Sequence, residues 1–180
     1  MRIIAGASRG RSLIAPAGTE TRPTADRVRQ ALFDMLMHAS WGGRALFDST
    51  LILDVFAGTG ALGLEALSRG AARAVFVERS SPALRALRTN IAACGVEDRC
   101  EVLTMDVARV PAGDPADIVF LDPPYGQDLV PRALAGLRSV GRIAKAGLIV
   151  AETGRDEPPP HVEPLAERMH GAARVTIWRE

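Results

Sequence analysis

Leu51-Ile52-Leu53-Asp54-Val55-Phe56-Ala57-Gly58-Thr59-Gly60-Ala61-Leu62-Gly63 decides how this chain folds. Leu51 to Phe56 is a short, nearly continuous apolar run, the pattern of a buried strand. Glycines follow at the spacing G-x-G-x-x-G, and Ala61 to Arg69 then reads as a helix. Glycine there permits a tight turn and lets backbone N–H groups and a helix N-terminus approach a ligand closely. The next strand, Ala74 to Val77, ends at Glu78. This acid lies about twenty residues beyond the loop, where a carboxylate can take ribose hydroxyls. Asp54 stands just before the turn, and Asp106 follows a third short strand, Val102 to Thr104. Each acid taken singly reads better as a helix cap or loop carboxylate. Together, at successive strand ends, they point to an adenosine-containing cofactor.

The same rhythm continues along the chain. Ser81 is placed to cap a helix with Pro82 at its first position, running to about Cys94. Ile118 to Leu121 reads as a strand, Val130 to Val140 as a helix, and Leu148 to Ala151 as a strand. Leu165 to Met169 and Val175 to Trp178 suggest a terminal hairpin turning at Gly171. Alternating strands and helices imply an α/β fold, with a mostly parallel sheet covered on both faces and one antiparallel strand added at the end. Before this body, Arg2 to Ala5 and Ser12 to Ala15 read as a β-hairpin whose loop, Ser8 to Arg11, displays arginines. Thr24 is expected to cap a helix carrying Val28, Ala31, Leu32, Met35 and Leu36 at helical spacing, ended by Trp41-Gly42-Gly43. The expected division is an N-terminal extension over residues 1–45 and a catalytic domain over 46–180.

Asp122-Pro123-Pro124-Tyr125 follows the Ile118 to Leu121 run directly. Two prolines cannot continue a helix or a sheet ladder, and they push the preceding residue out of the α region. A carboxylate, a backbone carbonyl and an aromatic ring are thereby held in a stiff loop at the carboxyl end of a strand, the edge where open α/β sheets bind ligands. Such a loop can accept hydrogen bonds from a planar NH2 group while the ring stacks on its base. The competing reading is a Pro-rich turn with Asp as a turn former. Between a nicotinamide dinucleotide and S-adenosylmethionine, two features favour the latter. Asp54 beside the loop suits an ammonium better than a pyrophosphate, and the prolyl loop offers a grip for a methyl acceptor and no hydride chemistry.

The 180 residues suit one domain with a substantial core, 47% hydrophobic and 24% charged, as in a soluble globular chain. No apolar run reaches the roughly 18–20 residues of a membrane helix, and no signal-peptide pattern opens the chain. Cys94 and Cys100 are too few for a disulfide framework and suit a reducing cytoplasm. His38, His161 and His170 make no metal-ligand spacing with them, so no metal is expected. The net charge of +1 hides an asymmetry. Before Gln30, Arg2, Arg9, Arg11, Arg22, Arg27 and Arg29 face only Glu20 and Asp26, an excess of +4. Arginine pairs bidentately with phosphate and stacks on bases, so this arm reads as a nucleic-acid footprint or as a solvated basic face.

The segment Asp54 to Ala71, the prolyl motif Asp122 to Tyr125 and Thr21-Arg22-Pro23-Thr24-Ala25-Asp26-Arg27-Val28-Arg29 together resemble the RsmD family. The opening Met1 to Gly6 with Arg9-Gly10-Arg11 resembles it too. These are bacterial guanine-N2 methyltransferases of 16S ribosomal RNA. The resemblance implies a Rossmann-like class I methyltransferase with a seven-stranded sheet, S-adenosylmethionine as donor and S-adenosylhomocysteine as product. It assigns Asp54, Phe56, Gly58, Thr59, Gly60, Glu78, Arg79, Asp106 and Val107 to the cofactor. Arg22 and Thr24 would close over its methionine end or face RNA. Asp122, Pro123, Pro124 and Tyr125 become the catalytic motif, with Arg9, Arg11, Arg22, Arg27 and Tyr125 toward RNA. The implied partner is 16S ribosomal RNA in the small subunit or an assembly intermediate, met by a monomeric cytoplasmic enzyme without membrane contact. Rival readings are an adenine-N6 methyltransferase on DNA or RNA, a nicotinamide-dependent oxidoreductase and a non-catalytic assembly factor. Arg155 to Glu163, with three prolines, receives no assignment.

Overall fold

A computed structural model describes residues 1–16, 23–158 and 161–180. Its centre is one sheet of seven strands: β1 (Leu51–Val55), β2 (Arg73–Glu78), β3 (Cys100–Thr104), β4 (Ala116–Leu121), β5 (Ile143–Gly154), β6 (Ala166–His170) and β7 (Ala173–Arg179). The spatial order is β3-β2-β1-β4-β5-β7-β6. The first five strands pair in parallel, and β7 runs against both β5 and β6. The expected single reversed strand is therefore β7. Strands such as β1 are apolar on nearly every residue because both faces are covered.

Side-chain alternation along the strands divides the core in two. Ile52, Phe76, Phe120 and Val150 face the side covered by α1 (Pro23–His38), α2 (Ala61–Ser68), α3 (Ser81–Cys94) and the N-terminal segment. Leu53, Val75, Val119 and Ile149 face the side covered by α4 (Leu129–Ser139). Ile3, Leu13 and Phe33 are buried in the first of these clusters, so the N-terminal residues share a core with the sheet.

Several local expectations are adjusted. The opening hairpin is present but short: one antiparallel bridge, Arg2 to Ser12, with Ile3 N donating to Arg11 O, Gly10 N to Ile3 O and Leu13 N to Met1 O, each at 2.9 Å. Its backbone finds other partners: Glu65 on α2 accepts from Ile4 N at 2.7 Å and Ala5 N at 3.1 Å, and Ser68 O accepts from Ala7 N at 2.8 Å. Asn90 on α3 both donates to and accepts from the backbone of Ile14. Helix α1 already includes Pro23, so Thr24 lies inside its first turn rather than at the cap. Ser80, not Ser81, occupies the N-cap position of α3. Strand β5 is much longer than its apolar segment. It begins at Ile143 and passes an irregularity marked by Ala146 at φ 61° before settling into register with β4.

Candidate active site

Register alone assembles the site. Val55 pairs with Val77 and with Leu121, and Leu121 pairs with Ala151. The next residue of each strand therefore stands in a row at the carboxyl edge: Glu78, Phe56, Asp122, Glu152. Phe56 turns the chain out of β1 with φ 62°, a conformation uncommon for a bulky residue.

The glycine loop follows. Gly58 and Gly60 have φ 56° and 77°, which glycine adopts without the Cβ penalty. Gly63 is needed for space instead, since a Cβ there would stand 2.4 Å from the Phe76 ring. Asp54 is buried behind the loop, and its Oδ2 accepts from Gly63 N at 2.9 Å, in the first turn of α2. Burial pushes its carboxyl from the usual 3.8 up to about 8; the Gly63 bond opposes the shift, and the charges of Asp122 and Glu78 add to it. Glu78 is pinned by backbone donors: Gly58 N at 2.9 Å on Oε2, with Arg79 N and Ser80 N at 2.7 Å on Oε1. The Thr59 carbonyl accepts from Asn90 Nδ2 at 2.9 Å.

A cavity of ≈ 600 Å³ opens on the α4 side, bordered by Glu78, Arg79, Asp106, Val107, Asp122 and Tyr125. Asp106 Oδ1 accepts from Ala108 N at 3.0 Å and caps the short turn Val107–Arg109, while Oδ2 pairs with Arg79 Nη1 at 2.6 Å. The amide bond first, and then the guanidinium, holds this carboxyl below the usual range. A second cavity of ≈ 810 Å³ lies toward α1 and α2, bordered by Asp54, Gly58, Thr59, Arg29, Asp122 and Glu152. Phe56, Ser80 and Asp122 border both, so Asp122 stands where they meet.

Asp122 is reachable from solvent yet walled by protein, and among the described residues none donates a hydrogen bond to it. Crowding by protein, and then the charge of Glu152, push its carboxyl up to about 7. Pro123 is buried, while the Tyr125 ring is 44% exposed at the cleft mouth. The Tyr125 hydroxyl donates to Glu152 Oε1, and Gly126 N donates to Glu157 Oε1. Arg174 on β7 holds that turn, donating to the carbonyls of Glu157 at 2.7 Å and Arg155 at 2.9 Å. Sequence reading missed Glu152, Glu157 and the buried anchor Glu65. Only Glu152 carried a signal, as the acid directly after an apolar strand.

Arg9 and Arg27 join Arg2 and Gln30 around a third cavity of ≈ 400 Å³ between the N-terminal segment and α1. Arg11 is exposed. None of Arg2, Arg9, Arg11 and Arg27 has an acidic partner within 4.0 Å among the described residues. Arg22 and the side chain of Thr24 lie outside the described residues. So do Pro159 and Pro160 of the proline run. Among the described residues, no group of three His, Cys, Asp or Glu is placed to hold a metal, and no helix is long and apolar enough to cross a membrane.

A Rossmann-like sheet with one reversed strand, a glycine turn after β1, and Asp-Pro-Pro-Tyr after β4 define a methyltransferase of the S-adenosylmethionine-dependent fold. Residues 1–179 match the model of the family described as Conserved hypothetical protein 95, and the chain belongs to that family, the RsmD family. It is 37% identical to ribosomal RNA small subunit methyltransferase D of Haemophilus influenzae over 188 residues, covering 99% of this chain and 93% of that one. The Escherichia coli protein of the same name is also 37% identical, covering 90% and 79%. Among solved structures, yhhF from Escherichia coli superposes with a TM-score of 0.83 at 33% identity, covering 99% and 97%. An RNA methyltransferase from Salinibacter ruber in complex with S-adenosyl-L-homocysteine shares the fold, with a TM-score of 0.59 at 18% identity, covering 89% and 93%.

Proposed function

We propose that this protein transfers a methyl group from S-adenosylmethionine to the exocyclic N2 amine of a guanine in 16S ribosomal RNA. The observation that carries the reading is Asp122. It is an acid with no hydrogen-bond donor among the described residues, stiffened by Pro123 and Pro124, where two cavities meet.

The residues present fit the donor. The ≈ 600 Å³ cavity has apolar walls from Met105, Val107 and Leu129, with the carboxylates of Glu78 and Asp106 at its rim. That composition suits an adenosine, with Glu78 toward the ribose and Asp106 and Val107 toward the base. Asp54, Gly58 and Gly60 would take the other end. S-adenosylmethionine supplies an electrophilic methyl when bound, so the protein's task lies with the nucleophile. An exocyclic amine delocalises its lone pair into the ring. Asp122 and the Pro123 carbonyl accept its two hydrogens, favouring a tetrahedral nitrogen with its lone pair free for attack. The carboxylate also stabilises positive charge growing on that nitrogen. Tyr125 stacks on the base and fixes its angle. The product ammonium is strongly acidic, and an acid titrating near 7 is matched to accept its proton.

The guanine must be unpaired or flipped to reach the loop. Arg9, Arg11 and Arg27 would contact RNA phosphates, and the substrate would be the small subunit or its assembly intermediate, engaged by a monomer. The test is incubation with a labelled methyl donor and small subunits lacking the modification, followed by nucleoside mapping. Label on guanine N2 is expected. Label on adenine N6, or none, overturns the reading.

A further inference from the structure

We propose that Glu152 is a positioning residue for this transfer, holding the Tyr125 ring at the cleft mouth and opposing, by its own charge, the ionisation of Asp122. The inference rests on the function proposed above.

Three observations converge on it. The β4–β5 register pairs Leu121 with Ala151, so Asp122 and Glu152 are lateral neighbours at the sheet edge. The Tyr125 hydroxyl donates to Glu152, its one hydrogen bond among the described residues. The next residue, Gly126, is held by Glu157 from the continuation of the same strand, which Arg174 fastens in turn. The catalytic loop is thus tethered at two successive residues to β5 and the turn beyond it. A ring 44% exposed has little packing to orient it, so the phenol-to-carboxylate bond sets where a stacked base can sit.

The titratable groups around Asp122 are Glu152 from β5, Asp54 from β1 and Tyr125 from its own loop. Arg29 of α1 and Glu78 of β2 border the same cleft, and Glu157 acts on Tyr125. Two adjacent carboxylates resist carrying two charges. The charge of Glu152 adds to the crowding by protein that raises the Asp122 carboxyl to about 7. Glu152 fixes the aromatic platform through the Tyr125 hydroxyl, and Asp122 is left to take a proton near neutral pH.

The experiment combines a carboxyl-carbon NMR titration of Asp122, assigned by loss of its signal in Asp122→Asn, with pH profiles of methyl transfer to small subunits. Wild type should titrate near 7. Glu152→Gln keeps an acceptor for Tyr125 but removes the charge, so it should move both the titration and the rising limb of activity down by roughly one pH unit. Tyr125→Phe should raise KM for RNA by roughly two- to tenfold, the scale of one lost hydrogen bond, without lowering the titration midpoint. Glu157→Gln removes the other nearby charge while keeping an acceptor for Gly126 N, and should leave the midpoint in place. An active wild type whose midpoint and profile are unchanged in Glu152→Gln overturns the role of Glu152 alone, as does an equal downward shift in Glu157→Gln. A wild type that transfers no methyl to any ribosomal RNA overturns the function itself.

Discussion

Asp54 reaches back across the glycine turn to hold the far end of it: its Oδ2 lies 2.9 Å from the amide nitrogen of Gly63. The acid that the sequence places beside the glycine loop is thus also the brace beneath it. Its brace is a buried carboxyl titrating at about 8.

That value fixes a sign. The folded state keeps a proton on Asp54 that the unfolded chain releases near 3.8. Its contribution to stability is full below about pH 4 and is lost as pH rises to about 8. Asp122 acts in the same direction, up to about 7. Asp54→Asn should therefore show a smaller fall in Tm between pH 5 and pH 8 than wild type. An equal or larger fall in thermal unfolding scans contradicts the buried, protonated acid.

Asp122→Ala should leave donor binding nearly intact by calorimetry and cut turnover by roughly 10²–10⁴-fold, the scale of one positioned acid–base or electrostatic group. Unchanged turnover removes Asp122 from the chemistry.

Glu65 is fully buried, pairs with Arg69 at 2.7 Å and accepts the amides of Ile4 and Ala5. Glu65→Ala strands Arg69 and two N–H groups, so a loss of about 3–5 kcal/mol is expected in urea unfolding, the cost of breaking a buried pair. Limited proteolysis should then cut first within the initial residues. A loss below 1 kcal/mol shows that the N-terminal segment is held by its apolar contacts instead.

Two glycines of that segment separate conformation from contact. Gly6 has φ 83°, and a Cβ there would stand 1.7 Å from the Ser68 carbonyl oxygen; Gly10 has φ 84° with nothing within 4 Å. Gly10→Ala should cost only the left-handed penalty of about 1–2 kcal/mol. Gly6→Ala adds a backbone clash and should be clearly the more destabilising in denaturant titrations. Equal costs contradict the docking of Gly6 against α2.

Replacing Arg9 and Arg11 together should weaken binding to ribosomal RNA and reduce the salt slope by about one to two, the release expected for two lost phosphate contacts. Identical slopes in filter-binding titrations assign both arginines to solvent.

The parallel sheet, the glycine turn and the prolyl loop were legible because each is a local pattern of period, conformation or stiffness. Asp122 could be named from four consecutive residues. Glu152 could not, because its role depends on a register that aligns it with a residue thirty positions earlier. Glu65 looks like an ordinary helix acid until the N-terminal backbone arrives over it. The same long-range competition explains the hairpin: Ile4 and Ala5 give their amides to Glu65 rather than to a partner strand. The proline run offered no periodicity to read, and its neighbour Glu157 acquires a role only through Gly126.

The insertion of β7 leaves β6 as the outermost strand, with one ladder unpaired among the described residues. This margin is short, five residues, and carries Glu167 and Arg168 beside the exposed Met169. Another chain adding itself there would have to strip water from both charges for little backbone pairing. The reversed strand thus closes the sheet on a border poorly suited to lateral growth, which favours dispersal over aggregation.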